Sequence, residues 1–411
     1  MQSLLILGRQ PSLGMAELER LYGARALRPV GENAVIVDVD PCLLAFPRLG
    51  GSIKFAKVLT TLETANWNEI EKFLCSVSPE HSKAIPEGKM YLGLSSYGFA
   101  VTPPKMQATA LNIKRAIKKT GRNVRVIPNN EPALSSAQVF HNRLTGEHSW
   151  ELLIIADGPR SVIAQTVMVQ DITAYARRDR ERPKRDAKVG MLPPKLAQII
   201  INLAAGRLAD EELHSICDVP ADKPRSVTPL HKTILDPFCG SGVILQEAVL
   251  MGYTPYGSDI DTRMVAYAAA NLAWLAEQYH MVIDAEIDTG DATTAQWKTP
   301  IFCIASEVYL GRPFTEKPNP ELLAKTVAEC NLIIKKFLRQ AYSQTKSGSS
   351  LCIAVPAWQT SPHVFRHLPL IDQMSDLGYN RVSLEHVSHD QMIYYRPEQF
   401  VARELLVLTR K

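Results

Sequence analysis

Three aspartates, Asp236, Asp259 and Asp291, each stand at the end of a candidate strand, and the first opens the stretch Asp236-Pro237-Phe238-Cys239-Gly240-Ser241-Gly242. Carboxylates at the tips of consecutive parallel strands can receive hydroxyl, amine and cationic groups. Gly240 and Gly242 let the backbone turn tightly and approach a ligand, because neither carries a Cβ. Asp261 adds a second acid near the tip that holds Asp259. Of two common nucleotide sites, a dinucleotide site fits less well and a P-loop is excluded. A dinucleotide turn needs glycine at position 245, which is Leu245, and a P-loop needs a Gly-Lys-Ser/Thr that does not follow the turn.

The elements that must position these groups alternate as strand and helix. Thr233 to Leu235 reads as a strand, Val243 to Met251 as a helix with an apolar stripe (Ile244, Leu245, Ala248, Val249) closed by Gly252, and Thr254 to Gly257 as the next strand. An acid at the second strand tip is where ribose hydroxyls are read in doubly wound folds. With a sulfonium, an ammonium, a ribose and an adenine, S-adenosylmethionine suits this set of acids best. Downstream, Pro320 to Tyr342 reads as a long helix, Ser350 to Val355 as a fifth strand, His367 to Leu377 as a helix, and Arg381 to Val387 and Ala402 to Leu408 as two late strands. That ending predicts a Rossmann-like domain with a seven-stranded sheet over 191–411.

Upstream, residues 3–7, 34–39 and 53–60 read as strands with a helix from Gly14 to Leu21, a ferredoxin-like α+β unit over 1–64. A second α+β region runs over 65–170. Its central helix has Thr102 as N-cap, Pro103 at the first helical position and Gly121 after the end. A basic linker, 171–190, follows. The net charge of +4 conceals two local concentrations. Residues 101–130 hold seven basic side chains and no acid, among them Lys114, Arg115, Lys118 and Lys119. Residues 176–188 hold seven, including Arg177, Arg178, Arg180, Arg182 and Lys188, against three acids. Together these patches favour a polyanionic partner gripped through its phosphates. The seven cysteines are dispersed without a Cys-x-x-Cys, the ten histidines offer no metal-ligand pair, and no apolar run approaches the roughly 20 residues that span a bilayer. The expectation is a cytoplasmic protein with reduced thiols, no metal and no signal peptide.

The chain resembles the THUMP-containing tRNA guanosine N2-methyltransferases. The segments that carry the resemblance are Leu4 to Arg9 with Ala16 to Glu19, Leu134 to Val139, Gln170 to Ile172, Arg178-Asp179 with Arg182-Pro183 and Arg185 to Ala187, Met191 to Ala197, and Asp236 to Gly242, in the family's order. The resemblance implies an N-terminal α+β RNA-binding region, ferredoxin-like plus THUMP-like, followed by a class I methyltransferase domain. It implies that Asp236, Phe238, Gly240 and Gly242 form the donor-binding turn. Asp259 would hold the ribose hydroxyls, with Asp261 as the lesser choice, and Asp291 the adenine amine. Pro193 and Pro194 would lie beside the methionine end of the donor. The implied substrate is guanosine 10 of tRNA, held by the basic residues of the two patches, with the protein acting alone or with a small activating subunit.

The catalytic motif departs from the family's Asp-Pro-Pro-Tyr. Here Ser306-Glu307-Val308-Tyr309 follows the fourth strand, keeping a carboxylate and an aromatic ring and losing both prolines. In the family the carboxylate accepts a hydrogen bond from the exocyclic amine while the ring stacks on the flipped base. Glu307 either replaces the aspartate or occupies the first proline position. Three outcomes stay open: Glu307 and Tyr309 perform the family chemistry, the target base differs, as in an amino-methyltransferase of ribosomal RNA or DNA, or the chain is an RNA-binding protein that binds the donor without using it.

Overall fold

The computed structural model describes residues 2–186, 191–210, 212, 230–298, 300–314 and 318–411. These form two compact units that interleave along the chain. The first takes in Met1–Pro11, Arg25–Pro47 and Ser52–Ala174, the second Ser12–Ala24, Arg48–Gly51 and Tyr175–Lys411.

The first unit is built on β1 (Ser3–Leu7), β2 (Leu27–Val30), β3 (Ala34–Val37), β4 (Ser52–Leu62), β5 (Met90–Tyr97), β6 (Val124–Val126), β7 (Ser149–Asp157) and β8 (Arg160–Val169). They form one sheet in the order β2-β3-β1-β4-β8-β7-β5-β6. The boundary at 64/65 drawn from the sequence falls just after β4, and strands from both sides of it share this sheet. Helices α2 (Trp67–His81) and α3 (Pro103–Lys118) bury Ile70, Leu74, Met106, Ala110, Ile113 and Ile117 against β5 and β7. The other face closes on itself: the sheet curls until β2 meets β7, and the missing side chain of Gly31 leaves the room that the Ala156 carbonyl needs, 2.9 Å from where a Cβ would stand. Leu134 to Val139 owes its composition to structure. Ser135 and Gln138 form a capping box on α4 (Ser136–His141), and the Leu134 carbonyl accepts a hydrogen bond from buried Lys54, whose ammonium also pairs with Glu151.

The second unit contains α1 (Pro11–Tyr22), α5 (Ile172–Arg180), α6 (Pro194–Ala205), α7 (Val243–Leu250), α8 (Thr262–Tyr279) and α9 (Pro320–Gln344). α5 begins at the end of the first unit and occupies half of the segment expected to be linker. The strands are β9 (Thr233–Asp236), β10 (Thr254–Asp259), β11 (Glu286–Thr289), β12 (Cys303–Glu307), β13 (Ser350–Ser361), β14 (Val364–Arg366), β15 (Tyr379–Arg381), β16 (Ile393–Tyr394) and β17 (Val401–Arg410). The main path runs β11-β10-β9-β12-β13-β17-β15, with β14 attached to β13 and β16 to β17. β9 to β13 are mutually parallel and β17 is antiparallel to β13. This places the carboxyl ends of β9, β10, β11 and β12 along one edge, where open α/β sheets bind ligands. The expected seven strands are present on this path.

Two expected elements are not formed. The helix expected over 367–377 is reduced to a 3-10 turn, Pro369–Gln373, in which the Leu370 amide is taken by the Asn331 side chain at 2.8 Å. The strand expected over 381–387 stops at Arg381, because the amides of Glu385 and His386 donate to the Glu19 carboxylate of α1 instead of to a neighbouring strand. α1 is held from the other side as well. Its buried Glu17 accepts hydrogen bonds from the amides of Gly50 and Gly51 and from Asn202 of α6. Among the described residues no helix is long and apolar enough to cross a membrane. Five cysteines, Cys75, Cys239, Cys303, Cys330 and Cys352, are free thiols.

Candidate active site

β9 ends in Asp236, which is 2% exposed. Its Oδ1 accepts hydrogen bonds from the Ser306 hydroxyl of β12 at 2.6 Å and from the Phe238 amide at 3.2 Å. Burial pushes this carboxyl up to about 7, aided by the nearby charges of Asp259 and Glu307 and opposed by the two hydrogen bonds.

The turn then bends on glycine. Gly240 has φ +50 and nothing within 4 Å of where a side chain would begin, so the turn borders open space there. Gly242 has φ +83, and a Cβ on it would lie 3.0 Å from the Cβ of Ala268 in α8. The two glycines therefore do different work: one leaves room for a ligand, the other lets α7 and α8 meet. Asn271 of α8 secures the turn from outside, donating to the Ser241 carbonyl at 2.8 Å and the Lys184 carbonyl at 2.9 Å.

Asp259 at the tip of β10 accepts the Gly240 amide on Oδ2 and the Asp261 amide on Oδ1, both at 2.9 Å. Its carboxyl is raised by burial. Asp261 serves as N-cap of α8, accepting the Arg263 amide at 2.8 Å, which assigns the two acids separate roles. The backbone just before Asp291 is tied to the same tip, the Gly290 amide donating to the Asp259 carbonyl at 2.9 Å; the Asp291 Oδ1 accepts the Thr293 amide at 2.8 Å. Pro193 and Pro194 open α6, which packs against α7 and β13. Phe238 turns its ring edge-on to Phe337 of α9 at 5.2 Å between centroids.

At the tip of β12 the two neighbouring side chains turn to different partners. Ser306 faces Asp236, and Glu307 faces Arg403 of β17, whose Nε donates to Oε1. Tyr309 packs its ring against the core beneath β12 and β13, and its hydroxyl donates to Glu329 at 3.2 Å. Arg403 lies 96 positions from Glu307 in the chain. No local pattern announces it. Ser306 could have been suspected from its place at the strand end.

The basic residues divide sharply. Arg115, Lys118 and Lys119 are exposed on α3 of the first unit, and Lys114 is half-buried beside them. In the second patch Arg177 and Arg180 are exposed, whereas Arg178 and Arg182 are not available to a phosphate. Arg178 closes on Glu247 of α7 through two hydrogen bonds, Nε to Oε1 at 2.7 Å and Nη2 to Oε2 at 3.2 Å, with its guanidinium over the Tyr175 ring. Arg182 is 2% exposed. Their expected RNA contacts are corrected on these grounds: charge density along the sequence does not register which face of α5 turns inward. Lys188 lies outside the described residues. A cavity of ≈ 740 Å³ sits in the first unit, lined in part by Phe73, His81, Glu147 and Trp150, and contains none of the four acids.

Counted from β9 along the main path, the strand order is 3-2-1-4-5-7-6, and with a glycine turn after the first strand and acids at the next tips the second unit has the fold of a class I methyltransferase domain. Comparison with known proteins agrees. Residues 228–367 match the UPF0020 family, an RMKL-like methyltransferase domain. The chain is similar to the tRNA (guanine(10)-N2)-dimethyltransferase of Methanothermobacter thermautotrophicus, 30% identical over 168 residues, which is 41% of this chain and 39% of that relative. It is also similar to the enzyme of the same name from Pyrococcus abyssi, 35% identical over 102 residues, 25% of this chain and 22% of that one. The matched stretches thus span well under half of either relative. Among solved structures, TrmN from Thermus thermophilus covers 100% of both chains with a TM-score of 0.50 at 14% identity. SMU.472, solved in complex with SAH, covers 100% of this chain and 98% of its own with a TM-score of 0.51 at 11% identity. These two show a shared fold.

Proposed function

We propose that this protein transfers a methyl group from S-adenosylmethionine to the exocyclic N2 of a guanosine in tRNA, guanosine 10 by its similarity to the named relatives. The observation that carries the reading is that Asp236 and Asp259 both bind a glycine turn that is open at Gly240, with the backbone before Asp291 tied to Asp259 and Glu307 at the adjoining strand tip.

The donor set fits the cofactor. Asp236 would face the donor's ammonium, Asp259 its ribose hydroxyls and Asp291 its adenine amine, while Phe238 and the Pro193-Pro194 start of α6 border the site. Bound there, S-adenosylmethionine supplies an electrophilic methyl. The chain's own contribution is alignment. Glu307 accepts a hydrogen bond from the exocyclic amine on Oε2, turning the nitrogen's electron pair toward the methyl, and Tyr309 offers a ring for the base. Lys114, Arg115, Lys118, Lys119, Arg177 and Arg180 hold the RNA through phosphates, with residues 65–170 as a THUMP-like RNA-binding region of a cytoplasmic protein.

The test is methylation of unmodified tRNA transcripts by the purified chain, with nucleosides analysed by mass spectrometry. N2-methylguanosine is the expected product, and Glu307→Gln is expected to abolish it while leaving S-adenosylhomocysteine binding intact. A transcript methylated at the parental rate by Glu307→Gln would remove Glu307 from the mechanism. Donor binding without any transfer would favour an RNA clamp.

A further inference from the structure

We infer that Arg403 and Glu307 act together as a two-point reader of the target base, Glu307 accepting from the exocyclic amine and Arg403 donating to the adjacent ring nitrogen. This rests on the methyl-transfer reading and extends it to a residue on a different strand, remote in sequence from the catalytic motif.

Two arginine–glutamate pairs of the second unit are of opposite design. Arg178 and Glu247 form a closed fork in which both carboxylate oxygens and two guanidinium nitrogens are engaged. Arg403 and Glu307 meet at one point, Nε to Oε1, and among the described residues neither Oε2 nor the two Nη groups have a hydrogen-bond partner. A pair that served only to neutralise charge would gain by closing as the first one does. This one leaves an acceptor beside a set of donors. Side-chain exposure is 8% for Arg403 and 17% for Glu307, so the stems are packed while the Oε2 and Nη atoms keep the solvent access that a substrate would need to reach them.

Register explains how the two meet. Glu307 is opposite Ala354 of β13, Pro356 two residues on is opposite Arg403 of β17, and Arg403 is opposite Tyr394 of β16. Side chains two apart on a strand share a face, so Glu307, Pro356, Arg403 and Tyr394 lie in one row across the carboxyl edge of the sheet. Proline at the middle position has no amide to compete for the carboxylate. An acceptor next to a donor complements an edge that presents a donor next to an acceptor, and on guanine the N2 amine beside N3 is such an edge. The pair thus supplies with a side chain part of the positioning that the family obtains from its proline-fixed backbone.

The test compares tRNA transcripts carrying guanosine or 3-deazaguanosine, which lacks the ring acceptor, at the methylated position. The wild-type protein is expected to lose about 10- to 100-fold in kcat/KM on the deaza substrate, the size of one well-placed base contact. Arg403→Met is expected to lose a similar factor on guanosine and to distinguish the two substrates hardly at all, with Arg403→Lys intermediate. S-adenosylhomocysteine binding by calorimetry is expected to stay near wild type in both variants, and Arg403→Lys, which keeps the charge opposite Glu307, separates a loss of stability from a loss of the base contact. Arg403→Met discriminating as strongly as wild type would overturn the reader, reducing Arg403 to a support for Glu307. No transfer by the wild-type protein to any tRNA would overturn the methyl-transfer reading beneath it and the reader with it, while calorimetry still reports on the donor site separately.

Discussion

Replacing the two turn glycines one at a time separates folding from ligand binding. At Gly242 an alanine must adopt φ +83, which costs about 1–2 kcal/mol for an L-residue. Its Cβ would also stand 3.0 Å from the Cβ and 3.1 Å from the Cα of Ala268, an overpacking worth about 1–3 kcal/mol. The expected loss is about 2–5 kcal/mol, a large part of the roughly 5–15 kcal/mol that holds a typical domain. At Gly240 the left-handed strain is similar, with φ +50, but nothing lies within 4 Å of the new methyl, so about 1–2 kcal/mol is lost. That methyl enters the space assigned to the donor. The assay is urea unfolding of the full chain with and without S-adenosylhomocysteine, following the transition that the ligand shifts. At 100 times its Kd the ligand stabilises by about 2.7 kcal/mol. Wild type and Gly242→Ala are expected to show that increment and Gly240→Ala to lose it. Equal destabilisation by the two variants, or a full ligand increment in Gly240→Ala, would refute the division of labour.

Donor binding is expected to depend on pH through Asp236. Its carboxyl moves from 3.8 when unfolded to about 7 when folded, so the folded state holds one more proton between those values and stability falls as pH rises through them. Affinity for S-adenosylmethionine is expected to move the other way, tightening between pH 6 and 8 as Asp236 ionises; calorimetry at pH 6, 7 and 8 checks this, and Asp236→Asn is expected to flatten the profile. Glu247→Gln leaves the buried Arg178 guanidinium without its counter-charge and is expected to cost about 3–5 kcal/mol in chemical unfolding, with Arg178→Met/Glu247→Leu recovering much of it. Alanine at Lys114, Arg115, Lys118 and Lys119 together is expected to weaken tRNA binding and lower its salt dependence by about 0.7–0.9 in log–log slope per lost phosphate contact, leaving S-adenosylhomocysteine binding unchanged; filter binding across a salt series measures it.

The glycine turn and its acids were legible because their determinants are local. Asp236, Gly240, Gly242 and Asp259 sit at the ends of adjoining strand-helix units, and the backbone amides that bind Asp259 come from within the same turn or its own loop. That Asp261 caps a helix while Asp259 binds the turn was not read from the sequence and is seen only in the structure. What could not be read were partners set by tertiary register. Arg403 reaches Glu307 across β13, and Asn271 grips the turn from a helix 30 positions on. Charge counting misplaced Arg178 and Arg182, since a basic run says nothing of the helical face that carries Tyr175 and Arg178 inward. The strand expected over 381–387 failed for a like reason: alternating apolar residues predict extended chain, but Glu19, 366 and 367 positions away, claimed the amides that a sheet would have used.

The position of α1 imposes an order on synthesis. Glu17 finds Asn202 only 185 residues later, and Glu19 finds His386 after 367. At about 5–20 residues per second a ribosome needs on the order of ten to forty seconds to deliver the first of these partners. Throughout that interval Glu17 has only the Gly50 and Gly51 amides to accept from, and Glu19 waits longer still for those of Glu385 and His386. The strands β1 and β3 on either side of it can pair meanwhile, so the helix reaches its final setting after the strands that flank it.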